Sequence, residues 1–156
     1  MQQFGDIVYR KCIRFKDAEK TDYKLSGHPT INLSVGSDGY YYCVVLTSNK
    51  KLAKHNRNFF YKLKNKKSTG LYYDTFVNLR YIYKIPMDAM IEDRYVDDKQ
   101  MNEICTQLID IFDNVRENNQ DLEEKTMDNI LKNLRQFVNG SEPKFWQGVV
   151  HNGAKQ

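Results

Sequence analysis

The sequence predicts an α+β chain, a small antiparallel β-barrel in its first half with two C-terminal helices packed on it. Three observations carry this. Short apolar runs of period two, separated by turn residues, occupy residues 4–86, as strands with one buried face do. Between residues 97 and 139 the apolar positions recur instead at three- and four-residue steps, the spacing of an amphipathic helix. The charge divides at the same place. Residues 1–84 carry 16 Lys and Arg against 6 Asp and Glu, and residues 85–156 carry 8 against 14, within a net charge of +4.

The first strand is read in Phe4-Gly5-Asp6-Ile7-Val8-Tyr9-Arg10-Lys11-Cys12-Ile13, where an apolar run passes into polar alternation. Thr30-Ile31-Asn32-Leu33-Ser34-Val35 alternates cleanly and predicts a second. Gly36-Ser37-Asp38-Gly39 is a hairpin turn whose glycines accept positive φ. Tyr40 to Leu46 returns from it as a centrally buried strand. Thr75 to Ile85 alternates again and stops at Pro86, which has no N–H for a ladder. Several short strands in so short a stretch predict a barrel.

In the second half, Met101, Ile104, Leu108, Ile111, Phe112 and Val115 form one stripe. Asp97 or Asp98 can cap its start, with Glu103 in the favourable N-terminal turn. Glu117-Asn118-Asn119-Gln120 breaks the pattern. Leu122, Met127, Ile130, Leu131, Leu134, Phe137 and Val138 form a second stripe that ends at Asn139-Gly140, a helix stop. The expected organisation is one domain over 1–140 (barrel 1–86, helices 97–139) and a tail, 141–156, with no assigned function.

Composition narrows the class. The chain has 156 residues, 40% hydrophobic and 13% aromatic, enough for one real core. No window approaches the ~18 consecutive apolar residues of a membrane span, and Met1 to Val8 lack the pattern of a signal peptide, so a cytoplasmic protein is expected. Cys12, Cys43 and Cys105 are widely spaced and odd in number, which indicates neither a disulfide framework nor a zinc site. Cys43, inside an apolar run, reads as a small buried hydrophobe. His28, His55 and His151 lie far apart with no metal-ligand spacing. There is no P-loop, Rossmann glycine pattern or GxSxG elbow. No metal and no cofactor are expected.

The segment from Tyr40 to Tyr73 contains no carboxylate. Within it Lys50, Lys51, Lys54, His55, Arg57, Lys62, Lys64, Lys66 and Lys67 surround Phe59, Phe60 and Tyr61. So one-sided a field attracts polyanions, and interleaved aromatics offer faces on which unpaired bases stack. Lys24, Asn78 and Arg80 join these residues, Phe59 and Tyr61 among them, as candidate RNA contacts. A solvated Lys-rich loop is the competing reading.

The candidate chemistry lies at the open end of the hairpin. Strands Thr30–Val35 and Tyr40–Leu46 pair about their turn, which places His28 and Pro29 roughly opposite Leu46 to Ser48. An imidazole (His28), two hydroxyls (Thr47 and Ser48) and an ammonium (Lys50) are thereby expected together. Such a set suits metal-free RNA cleavage. Histidine donates or accepts a proton near neutral pH, lysine stabilises charge on the non-bridging oxygens, and hydroxyls hold those oxygens. The plainer alternatives are a loop histidine and, for Thr47-Ser48-Asn49, a strand end or helix cap.

The combination resembles known toxins. Phe4-Gly5-Asp6-Ile7-Val8 and Gly27-His28-Pro29 before a strand are similar to the layout of the MazF/PemK toxins, which have an SH3-like barrel. Leu46-Thr47-Ser48-Asn49-Lys50 more closely resembles the Leu-Thr-Ser-x-Lys motif of the ToxN/AbiQ/CptN toxins, and Val77-Asn78-Leu79 with Tyr83-Lys84-Ile85-Pro86 resembles that group's third conserved strand. The resemblance covers about residues 4–86, with CptN-like toxins nearest. It implies a type III toxin, a metal-independent endoribonuclease that leaves a 2′,3′-cyclic phosphate and a 5′-hydroxyl. It implies that Thr47, Ser48 and Lys50 line the scissile phosphate. His28 stands where the relatives carry lysine or arginine. The partners implied are an RNA substrate and a small repeat RNA antitoxin that the toxin processes and binds in a closed hetero-oligomer, with neither DNA nor membrane involved. The alternatives are a MazF/PemK-type enzyme with a protein antitoxin, and a non-catalytic RNA-binding module.

Overall fold

The computed structural model describes residues 4–13, 26–35, 40–64, 67–71, 73–86, 90–114 and 122–140. The hairpin turn at 36–39, the break at 117–120, Val115, Lys24, Lys66 and the tail from Ser141 lie outside the described residues, as do the side chains of His28 and Cys12.

Six strands form one antiparallel sheet: β1 (Asp6–Ile13), β2 (Ser26–Val35), β3 (Tyr40–Thr47), β4 (Phe60–Leu63), β5 (Thr75–Pro86) and β6 (Met90–Tyr95), in the spatial order β4-β5-β3-β2-β1-β6. The strand read from Tyr40 to Leu46 is central, as expected. Register shifts interrupt the β1–β2, β1–β6, β2–β3 and β3–β5 pairs. Each shift bends its strand and increases the local twist, and the sheet curls into a half-barrel. The β4–β5 connection reaches across towards the far edge, where the Tyr95 N–H donates to the Ser68 carbonyl at 3.0 Å.

One face of the sheet carries Ile7, Ile31, Leu33, Tyr42, Val44, Leu46, Leu63, Val77 and Leu79, which join the main core. That face is covered by α2 (Asp98–Asn114) and α3 (Glu124–Val138); a shorter helix, α1 (Lys50–His55), precedes β4. The predicted stripes are the buried faces of the two long helices: Met101, Ile104, Leu108, Ile111 and Phe112 on α2, and Met127, Ile130, Leu131 and Leu134 on α3. Covering them removes the large exposed apolar surface that would mark a protein-docking helix.

The helix ends follow from local chemistry. Asp97 Oδ1 accepts the Gln100 N–H at 2.8 Å, which caps α2. Gln100 is itself buried, and its Oε1 accepts the Lys64 N–H at 2.8 Å, pinning the start of α2 to the end of β4. Asn139 closes α3 and Gly140 follows it at φ 85°, the left-handed conformation that favours glycine after a helix. Gly5 has φ 84°, and a Cβ there would stand 3.2 Å from Met101 Cγ, so glycine lets the first strand approach α2. The ring of Phe4 packs against Phe137 at 4.7 Å between centroids.

Among the described residues no helix is long and apolar enough to cross a membrane. Cys43 and Cys105 are buried thiols outside any disulfide. Burial pushes the Cys105 thiol far above its usual range, so it is an inert part of the core.

Candidate nucleic-acid interface

The basic segment is folded over residues 50–64. Asn49 Oδ1 accepts the Leu52 N–H at 3.0 Å and Thr47 Oγ1 accepts the Asn49 N–H at 3.2 Å. These two side chains start α1, which carries Lys50, Lys51, Lys54 and His55 on one helical turn and a half of backbone. A single 3₁₀ turn, Arg57–Phe59, then leads into β4. Only Ala53 of α1 is buried, so the lysines face outward while the small methyl seats the helix on the sheet.

The register aligns this segment with three strands. Thr47 pairs with Phe76, and Phe76 pairs with Lys62. Directly opposed residues project from the same face of a sheet, here the face away from the core of α2 and α3, because Leu46, Leu63 and Val77 point into that core. On β2, Thr30 pairs with Val45. That is the outermost β2–β3 pair; two residues further along, the His28 backbone pairs with Arg10 of β1. Thr47, Phe76 and Lys62 thus occupy one row across three strands.

A cleft of about 410 Å³ opens at the end of this row, lined by Lys50, Ala53, Lys54, Arg57, Phe60, Lys62, Asp74 and Phe76. Its walls are mostly apolar and its rim is cationic. Asp74 is the one carboxylate among the lining residues. Its Oδ2 lies 3.2 Å from Lys50 Nζ and 3.9 Å from Lys62 Nζ. The side chains are 71% exposed at Lys50 and 40% at Asp74, so the pair contributes about 0–1 kcal/mol to stability.

The remaining candidates fall in several places. Lys54 and Arg57 line the cleft, and Lys51, His55, Lys64 and Lys67 are exposed beyond it. Ser48 is exposed beside the half-buried Thr47. Phe59 and Tyr61 pack against the core. The Tyr61 hydroxyl donates to the Glu103 carboxylate, and burial, then Glu103 and Asp97, hold its proton well above the ordinary tyrosine range. Asn78 Oδ1 accepts the Arg80 N–H at 3.0 Å at the irregularity between β3 and β5. The Arg80 guanidinium sits 5.2 Å from the centre of the Phe59 ring and 5.5 Å from that of Tyr81. Four of the expected residues therefore meet in the cleft, Lys50, Lys54, Arg57 and Lys62, with Thr47 in the adjoining row.

Sequence reasoning missed Phe76 and Asp74 as members of this site. Asp74 had a signal: it is the first carboxylate after the long acid-free segment. Phe76 is an outward position of an alternating strand, and nothing in its pattern distinguishes it from other such positions.

Fold and site together define an α+β protein with a curled antiparallel half-barrel and a cationic, aromatic-walled cleft on the sheet face opposite its long helices. No protein-family model matches the chain, and no curated protein matches it. Among the described residues no group of three or more His, Cys, Asp or Glu side chains is arranged to hold a metal ion.

Proposed function

We propose that this protein is an endoribonuclease of the toxin type, acting on single-stranded RNA without a metal, and that its half-barrel is an SH3-like barrel of the MazF/PemK kind. The observation that carries the reading is the cleft itself. Lys50, Lys54, Arg57 and Lys62 ring apolar walls formed by Phe60 and Phe76, and the row containing Thr47 leads into it. A phosphodiester backbone follows the cations while an unpaired base occupies the apolar wall.

In the proposed reaction the RNA 2′-hydroxyl loses its proton and attacks the adjacent phosphorus. The bond to the 5′-oxygen breaks, and that oxygen takes a proton. His28 serves as the proton-transfer group, Lys50 neutralises the non-bridging oxygens, and Thr47 and Ser48 hold them. Lys50 reaches this role by exchanging Asp74 for phosphate, an inexpensive exchange for so exposed an ion pair. The partner proposed is a small repeat RNA antitoxin bound along the same cationic surface, in the cytoplasm.

The test is incubation of the purified protein with single-stranded RNA in EDTA. Fragments ending in 2′,3′-cyclic phosphate and 5′-hydroxyl are expected. Intact RNA that is nevertheless bound would establish the second reading, a non-catalytic RNA-binding module. That reading is favoured by one specific observation: Thr47 and Asn49 already hold the start of α1, and Lys50 is already paired.

A further inference from the structure

Asp74 is out of place on a phosphate-binding surface. It repels the ligand's backbone, it draws Lys50 and Lys62 away from phosphate, and so exposed an ion pair adds little stability in return. What it does supply is an acceptor inside an otherwise cationic and apolar cleft. Both ammoniums approach Oδ2, which leaves Oδ1 as the oxygen able to accept from a ligand. Phe60 and Phe76 wall the same cleft, whose 410 Å³ is the scale of one nucleotide rather than of a folded RNA element.

We infer that the cleft holds a single unstacked nucleotide and that Asp74 determines which base it accepts, favouring bases with an exocyclic amine over uracil. This rests on the RNA reading above and deepens it. An ionised carboxylate only accepts hydrogen bonds. The amine of cytosine or adenine donates to it, as carboxylates accept from the cytosine amine in base readout. Uracil presents a carbonyl at the position where cytosine has its amine, so carboxylate and carbonyl meet acceptor to acceptor. Cytosine and uracil stack with rings of the same size, so contrasting them isolates the edge from the face. Lys54 and Arg57, on the same rim, take the flanking phosphates.

The experiment measures binding of fluorescent hexacytidylate and hexauridylate, by anisotropy, to the wild-type protein and to Asp74→Asn. The wild-type protein is expected to prefer the cytidine oligomer by about tenfold, the scale of one charge-assisted hydrogen bond in a partly exposed site. Asp74→Asn is expected to bring the two affinities within about twofold, chiefly by improving uridine binding, because an amide can donate to the uracil carbonyl. Equal wild-type affinities, or a preference that survives Asp74→Asn, would overturn the role of Asp74 while leaving RNA binding intact. Absence of binding to either oligomer would overturn the RNA reading and this inference together. Binding without cleavage, with the cytidine preference present, supports the inference and rejects only the catalytic reading.

Discussion

Removing Lys54 and Arg57 together measures how much of the cleft's affinity is electrostatic. Both line the rim, whereas Lys50 and Lys62 are held by Asp74, so the first two are the cations most directly offered to phosphate. For single-stranded nucleic acid each neutralised phosphate contributes about −0.7 to the slope of log K against log salt concentration. The double variant Lys54→Ala/Arg57→Ala is therefore expected to make that slope shallower by about 1.4. Near 0.1 M salt the lost counterion release amounts to about 1.4 decades, a roughly 25-fold weaker Kd. The assay is anisotropy of a labelled single-stranded RNA across a series of KCl concentrations. A control variant, Lys125→Ala/Lys132→Ala, removes two exposed charges from α3, on the other face of the sheet, and is expected to leave the slope unchanged. A native-like double variant whose slope matches the wild type would refute the assignment, since no phosphate could then be held by these two side chains.

Three further outcomes concern the frame that positions the site. Gln100→Leu deletes the buried acceptor of the Lys64 N–H and the partner of Asp97, and urea unfolding is expected to show a loss of about 1–3 kcal/mol. Tyr61 holds its proton more tightly folded than unfolded, so the stability it adds is present below the ordinary tyrosine range and lost as pH rises through about 10 and beyond. Thermal unfolding between about pH 9 and pH 11 should accordingly fall more steeply for the wild type than for Tyr61→Phe. Cys43 and Cys105 are expected to stay silent to a thiol reagent in a Cys12→Ser variant until denaturant opens the core; prompt native-state labelling would contradict their burial.

Where the sequence was legible, one physical cause governed a long enough window. The stripes of α2 and α3 extend over several turns, so tertiary packing and local periodicity point the same way. Asn139-Gly140 marks the end of α3 because few residues take the left-handed conformation. The β2–β3 hairpin was legible from alternation on both sides of a glycine-rich turn. The elements that escaped are short. β4 is four residues set among lysines, and β6 carries Glu92, Asp93 and Arg94 and pairs through β1 alone. Their strand character comes from the neighbours they bond to. α1 lies inside the basic segment with one buried residue, too few for a period. Its only local marker is the Thr47-Ser48-Asn49 cap, and the same residue types also suit phosphate binding.

The candidate site was legible to the same extent. Charge clustering located Lys50, Lys54, Arg57 and Lys62, because a carboxylate-free segment has a field whatever its fold. Counting back from the hairpin turn gives the observed pairing as far as Thr30 with Val45, short of the His28 end of the strand. The cleft itself was not readable. It depends on β5 returning beside both β3 and β4, which brings Phe76 and Asp74 under the basic helix from well outside the segment that carries the charge.

The central claim, that this cleft cuts the RNA it binds, is tested most directly by separating the two steps in Lys50→Ala and His28→Ala. Each is expected to retain RNA affinity within a few-fold of wild type, because other cations of the rim remain, while cleavage in EDTA falls by two orders of magnitude or more, in keeping with about 10²–10⁴ for a positioned acid–base group. Both variants cutting at the wild-type rate would contradict the account, whatever their affinity for RNA.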